Sequence, residues 1–297
     1  MSYEEIYKSK LMTADEAVAA HIKSGDKIWL GGLSVADKVL SCVIEKVKQG
    51  ALENIDFYGN MTMDDIGLAD KDIPADKFRY HAFFYGGYER EGCKNGVVTN
   101  VPLHLSRFED YVSYIDPDVA VVPMTPPNEQ GFCNIGPAGY SPSGLNHAKK
   151  IIAQINKNIP RVYGSSHDYH VNDIAAFVEC HKDELMPSSQ PPTATEEKIA
   201  SYILERIPDG ACIQLGIGGT ANAVGFGLKD KKHLGIHSEM YTDSMAYLQS
   251  IGVVDNSRKT FMPGLSVAGF AFNTTQTTAS VYDASIAEIE VRLAKLE

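Results

Sequence analysis

Cysteine, cationic excess and long apolar runs are scarce in this sequence of 297 residues. There are five cysteines, Cys42, Cys93, Cys133, Cys180 and Cys212. The number is odd and no CxxC pair occurs, which argues against a disulfide framework or a cysteine-based zinc site and for reduced thiols. Lys and Arg total 27 against 38 Asp and Glu, a formal net charge of −11. A chain that binds nucleic acid nonspecifically needs a basic face, so this balance speaks against that class; a local basic pocket for an anion is still allowed. No window has the apolar length needed to span a bilayer, so no membrane partner is expected. The opening MSYEEIYKSKLMTADEA is too charged for a secretory signal, and a cytoplasmic protein is expected. Short-period repeats are absent too.

What remains is ordinary globular material, 44% hydrophobic and 22% charged, enough for one large or two medium domains. Thr13 and Glu16 have capping-box spacing, so a helix is expected to begin near Ala14, bury Ala17, Val18 and Ile22, and stop at Gly25. KIWLGG then reads as a strand entering a glycine turn, ADKVLSCVIEKVKQG as an amphipathic helix ending at Gly50, and NIDFYGN as another strand. FRYHAFFYGG and DVAVVPMTPP continue the alternation. The unbroken apolar run of the latter suits a strand buried on both faces. SPSGLNHAKKIIAQIN reads as a turn or helix followed by a strand over residues 150–155. Strands separated by helices predict a parallel, layered α/β architecture.

LMPSSQPPTATEEKIA has the Pro and Ser content of a linker, and a helix is expected over residues 195–206 with Thr193 or Thr195 near its N-cap. A second α/β unit therefore begins near residue 190. It offers strand signals at Ala211–Leu215 and Leu234–His237. The chain closes on a Thr-rich run and an expected amphipathic helix from Ala284 to Leu296, with Ile286, Ile289, Leu293 and Leu296 on one stripe.

Two stretches of the second unit carry candidate chemistry. In IQLGIGGTANAV, an apolar strand meets Gly216, Gly218 and Gly219 before a helix expected from Thr220 or Ala221. Such a turn presents backbone N–H groups at a helix N-terminus, where an anion or oxyanion is favoured. It is neither a P-loop nor a full GxGxxG fingerprint, and taken alone it is more often just a tight strand–helix turn. In LGIHSEMYTDS, Glu239 follows the strand signal directly. Ligands of layered α/β sheets collect at the carboxyl ends of strands. A carboxylate there could attack an activated carbonyl while the glycine turn stabilises the oxyanion. A solvated loop glutamate is the bland alternative. His237 is weighed as a general base or a structural residue. His170, Cys180 and His181 fit no zinc signature, and no metal site is expected. GFCNIGPAGYSPSG reads as a cleft-lining loop or a plain connection. Arg90, near the FFYGG turn, could pair with a carboxylate substrate or simply be exposed.

Taken in order, TADEAVAAHIKSGDKIWLGG, PPNEQGFCNIGPAG, QLGIGGTANAVG and LGIHSEMYTDS resemble the acetyl-CoA hydrolase/transferase family, nearest to the 4-hydroxybutyrate and butyrate/acetate CoA-transferases. The likeness runs from Met1 to about Phe272. It implies two open, parallel-sheet layered α/β domains of the CoA-transferase (NagB/RpiA-like) type, the second incomplete. Residues 1–188 would form the first and residues 189–297 the second, with an atypical tail over 273–297. It implies Glu239 as nucleophile, and Gly216, Ile217, Gly218, Gly219 and Thr220 as the CoA-binding and oxyanion turn. Residues 131–139 would face the substrate pocket. No bound cofactor is implied, since coenzyme A or acyl-CoA is itself a substrate.

The reaction implied is transfer of coenzyme A between a short-chain acyl-CoA (butyryl-, 4-hydroxybutyryl- or acetyl-CoA) and a short-chain carboxylate such as acetate, through a glutamyl-CoA thioester. The alternatives are acyl-CoA hydrolysis, or an inactive fragment that binds CoA or a homologous chain. A homo-oligomer is expected. The sequence departs from the family at Thr220 and Ala221, where relatives carry an apolar residue and Pro, and at Ser244, where 4-hydroxybutyrate enzymes usually have Gly. A later Gly-rich SGxGGQxDFxxGA loop has no counterpart here, so a C-terminally truncated chain is expected.

Overall fold

The computed structural model describes residues 1–137, 141–162, 167–183, 191–272 and 292–293. The chain divides into two compact units, one comprising Met1–Arg161 and Ser165–Leu185, the other Val162–Gly164 and Met186–Leu296.

The first unit opens with α1 (Tyr3–Ser9) and α2 (Ala14–His21), each started by a reciprocal capping box, Ser2 with Glu5 and Thr13 with Glu16. β1 (Lys27–Leu33) follows, buried along its centre, and leads into α3 (Asp37–Lys48). That helix turns Val39, Leu40, Val43, Ile44 and Val47 inward, at the i, i+3, i+4 spacing of one buried stripe. Next come β2 (Ile55–Thr62), β3 (Phe78–Ala82), α4 (Gly87–Lys94), β4 (Val98–Asn100), α5 (Phe108–Ile115) and β5 (Val119–Met124). β6 (Phe132–Asn134), α6 (Ser141–His147), β7 (Lys150–Ile155), β8 (Asp168–His170) and β9 (Ala176–Glu179) complete the unit.

Seven of these strands form one sheet in the order β4-β3-β2-β1-β5-β7-β9, every pairing parallel. β5 is buried at all six positions, as an apolar strand covered on both faces must be. The order reverses between β1 and β5, where doubly wound sheets usually leave a ligand crevice. Here side chains tie that carboxyl edge together. Gln154 accepts from the N–H groups of Lys38 and Val39 and donates to Asp37, and Lys182 bridges Asp37 and Asp64.

The stretch read as a glycine- and proline-rich connection is not simply a loop. It contains β6, which pairs antiparallel with β8. Residues 138 and 139 of the expected pocket loop lie outside the described residues.

The second unit starts at α7 (Ala194–Leu204), capped by Thr193 with Glu196. It continues through β10 (Cys212–Ile213), α8 (Gly219–Gly227), β11 (Gly235–Thr242), α9 (Asp243–Ser250), β12 (Val267–Phe272) and β13 (Arg292–Leu293). The four strands are parallel in the order β10-β11-β12-β13. Ile213, Leu215, Val224, Leu228, Leu234, Ile236, Met245 and Leu248 form the heart of its core. The architecture is the expected parallel, layered α/β type in both units.

Three sequence expectations change. β10 is two residues long, where a strand over Ala211–Leu215 was expected. β11 does not stop at His237 but runs to Thr242, because β12 keeps pairing with it from His237 through Thr242. The helix expected over Ala284–Leu296 is replaced at Arg292–Leu293 by a strand; its other residues lie outside the described ones.

Candidate active site

Side chains alternate between the faces of a strand, so His237 and Glu239 share one face of β11. Both are exposed in a strand that is buried at its other six positions. The reason lies in the neighbouring strand. β10 ends at Ile213, opposite Ile236, and from there the chain leaves as a turn. Only that turn accompanies β11 further: the Ser238 hydroxyl lies 3.4 Å from the Leu215 carbonyl oxygen. On the other side β12 runs close behind. Gly269 makes this possible, since a Cβ there would stand 3.0 Å from the Glu239 carbonyl oxygen. Glu239 therefore lies within a strand and not in the loop after it, which corrects the sequence reading.

The turn itself spans Leu215 to Gly218. Gly218 is the N-cap of α8 with φ +117°, a conformation L side chains rarely adopt, and no side chain caps the helix there. Gly216, Ile217 and Gly218 are exposed; Gly219 and Thr220 form the first half-buried residues of α8. A Cβ on Gly216 or Gly218 would meet nothing within 4 Å. The first N–H groups of an α-helix have no intrahelical acceptor, so this end of α8 can serve a ligand oxyanion. Thus Glu239 lies on β11, and Gly216–Thr220 follow the neighbouring parallel strand β10 as its turn and the start of α8.

Sequence reasoning missed Glu196. Its carboxylate packs on Gly219, where a Cβ would collide with it. The N–H of Thr193, 2.7 Å away, and the Thr193 hydroxyl hold that carboxyl below the ordinary carboxylate range. A fixed negative charge thus borders the helix N-terminus, favourable for the helix and unfavourable for a second anion alongside it. The Thr-x-x-Glu spacing was the available signal; nothing in it told that the capping residue also touches the glycine turn.

A second omission is Lys259. It is buried, with its stem over Gly235, where a Cβ would stand 2.5 Å from the lysine Cγ. Its ammonium donates to the carbonyl of Ile236 at 2.7 Å and to that of Leu265. Burial pushes its pKa down. Arg90, by contrast, sits exposed on α4 of the first unit. Among the described residues no cluster of His, Cys, Asp or Glu is arranged to hold a metal, and no helix is long and apolar enough to cross a membrane.

Comparison with known proteins adds four findings. The model of the acetyl-CoA hydrolase/transferase N-terminal domain matches residues 1–188. A butyryl-CoA:acetate CoA-transferase of Anaerostipes caccae is 36% identical over 267 residues, covering 87% of this chain and 59% of that protein. A 4-hydroxybutyrate coenzyme A transferase of Clostridium kluyveri is 34% identical over 282 residues, covering 92% of this chain and 64% of that one. The crystal structure of RipA from Yersinia pestis superposes with a TM-score of 0.90 at 26% identity, covering 97% of this chain and 69% of that chain. The chain spans about three-fifths of the length of these two curated relatives.

Proposed function

Since the chain belongs to the acetyl-CoA hydrolase/transferase family, we propose that it moves coenzyme A between a short-chain acyl-CoA and a carboxylate such as acetate, with Glu239 as nucleophile. The observation that carries this reading is an exposed carboxylate on a parallel strand whose neighbour ends in an open glycine turn at a helix N-terminus. The names of the relatives, which include butyryl-CoA and 4-hydroxybutyrate enzymes, support the short-chain substrate class.

The chemistry follows from the residues. A Glu239 carboxylate oxygen attacks the acyl-CoA carbonyl carbon; the C–S bond breaks, leaving a mixed anhydride and the CoA thiolate. The thiolate then attacks the glutamyl carbonyl carbon, displacing the first carboxylate and leaving a glutamyl thioester. An acceptor carboxylate reverses both steps and departs as the new acyl-CoA. Each tetrahedral intermediate carries an oxyanion, and the N–H groups of Gly219 and Thr220 are the donors proposed to stabilise it. Activation is kept in covalent form throughout, so no external energy source is needed.

Acyl-CoA hydrolysis is a second reading, favoured by the exposure of Glu239. Water reaching the anhydride or thioester turns transfer into hydrolysis. One experiment tests both. Incubation with butyryl-CoA is expected to add CoA to the peptide containing Glu239, detected by mass, and Glu239→Ala abolishes the adduct. No adduct with any short-chain acyl-CoA removes the catalytic reading. CoA release that rises with added acetate supports transfer, and release indifferent to acetate supports hydrolysis.

A further inference from the structure

His237 is the other exposed residue on the Glu239 face of β11. Two residues of strand separate their Cβ atoms by roughly 7 Å, about the span of a small carboxylate lying between them. Its ring stacks on Phe261, centroids 5.5 Å apart and planes at 22°, and Phe261 is itself 54% exposed. Among the described residues neither ring nitrogen of His237 has a hydrogen-bond partner. An imidazole and a phenyl ring thus stand together at the surface with their polar and apolar functions unspent.

The segment that carries Phe261 is held in place. Gly264 donates its N–H to the Asn256 carbonyl at 3.0 Å, and Leu265 donates to Met262 at 3.2 Å. Met262 and Gly264 take left-handed backbone conformations, φ +47° and +83°. Lys259, buried beneath, fastens this turn to β11 through the carbonyls of Leu265 and Ile236. Among the described residues this buried ammonium bonds only to main-chain carbonyls, an arrangement costly to desolvate, and what it secures here is the turn bearing Phe261.

We propose that His237, backed by Phe261, receives the acceptor acid beside Glu239: a ring N–H donates to one carboxylate oxygen, and the exposed Phe261 ring takes the short alkyl chain. This rests on the reading of Glu239 as the nucleophile. With one oxygen held by His237, the other attacks the glutamyl thioester carbonyl. The new C–O bond forms, the C–S bond breaks, and the electron pair leaves on the CoA thiolate. The thiolate then attacks the acyl carbonyl, forming C–S and breaking C–O, which returns the Glu239 carboxylate. No proton, oxidant or further reactant enters the balance. His237 is accordingly a substrate-binding residue that sets which acids are accepted, with Lys259 positioning its aromatic backing.

The test uses the full chain, labelled at histidine and followed by NMR during titration with butyrate. A saturable shift of one imidazole signal, assigned to His237 by its loss in His237→Gln, is expected. 1-Butanol, an uncharged counterpart, is expected to leave that signal in place. A His237 signal unmoved by butyrate, or moved equally by 1-butanol, overturns the carboxylate contact. In turnover, His237→Leu is expected to raise the acceptor KM about tenfold while lowering kcat much less, and His237→Asn, which keeps an N–H donor, to recover part of the loss. The Glu239 adduct is measured on the same preparations. With the adduct present and the acceptor KM of His237→Leu unchanged, this inference fails and the transferase reading stands. With the adduct absent and the butyrate shift present, the transferase reading fails and the carboxylate contact stands.

Discussion

Both units place glycines in or after the carboxyl end of a strand that leads to a helix, and they use them in opposite ways. In the first unit Gly31, with φ +77°, is pressed against Ser141, and a Cβ on Gly32 would stand 2.6 Å from the Asn60 Cβ. These glycines exist so that chain segments can touch. In the second unit Gly216 and Gly218 face open space, with nothing within 4 Å of a would-be Cβ. The same contrast holds for the polar groups nearby. The carboxyl edge of the seven-stranded sheet spends Asp37, Asp64, Gln154 and Lys182 on one another, whereas β11 leaves His237 and Glu239 exposed. A glycine turn is evidence for a ligand when its surroundings leave room for one, and evidence for packing when they do not.

The sharpest way to break this comparison is at Glu239. Glu239→Ala is expected to lower CoA transfer by at least roughly a thousandfold with the thermal midpoint almost unmoved, as for an exposed nucleophile. A variant that retains activity would put the open turn on the same footing as the packed glycines of β1. Acid separates the units next. Burial of His167 in the first unit pulls its pKa from the ordinary 6.5 down to about 4. The folded state favours the neutral ring, so this stability is fully present above pH 6.5 and is lost as pH falls toward 4, by about 3 kcal/mol. In the second unit Asp255 is held at about 2 by the Ser257 N–H and by His233, so its contribution is lost only below about 3.8. Urea melts of wild type and His167→Gln at pH 7 and pH 4.5 are expected to show the larger acid loss in wild type. The difference isolates His167 from Glu89, whose carboxyl burial pushes up and whose slope has the opposite sign.

Smaller effects test the glycines themselves. Gly31→Ala is expected to cost about 2 kcal/mol, from its left-handed backbone and the crowding on Ser141. Thr193→Ala removes the hydroxyl that accepts from the Glu196 N–H and donates to its carboxylate, at about 1 kcal/mol. Gly216→Ala, which adds a methyl group to open space, is expected to change stability by less than about 0.5 kcal/mol while slowing formation of the Glu239 adduct. Equal stability costs for Gly31→Ala and Gly216→Ala would end the distinction between the two glycine sites.

Much of the fold is written locally. The Thr13–Glu16 box starts α2 at Ala14, the six apolar residues of β5 announce a strand covered on both faces, and β7 falls on residues 150–155 as expected. The failures share a cause: they depend on partners distant in the chain. β12 went unread because Gly269 interrupts VAGFAF, yet that glycine is what admits the strand next to Glu239. The second half of β11 went unread because Glu and Thr weaken its signal, and it is β12 that keeps it extended. β6 and β8 pair Phe132 with His170, a contact no window along the chain contains. At the site, Glu239 and the glycine turn were legible as motifs. Glu196, Lys259 and Phe261 were not, since each acts through a contact made only in three dimensions.

One consequence of the way Glu239 is mounted concerns motion. Its backbone is clamped between Ser238 and Met240, both in register with β12, and Gly269 brings that neighbour too near for the main chain to shift. The carboxylate travels only as far as three side-chain torsions carry it. If Glu239 is the nucleophile proposed above, whatever is transferred must come to a nearly stationary anvil, and the travelling between the two half-reactions would fall to the thiol carrier on its long flexible arm.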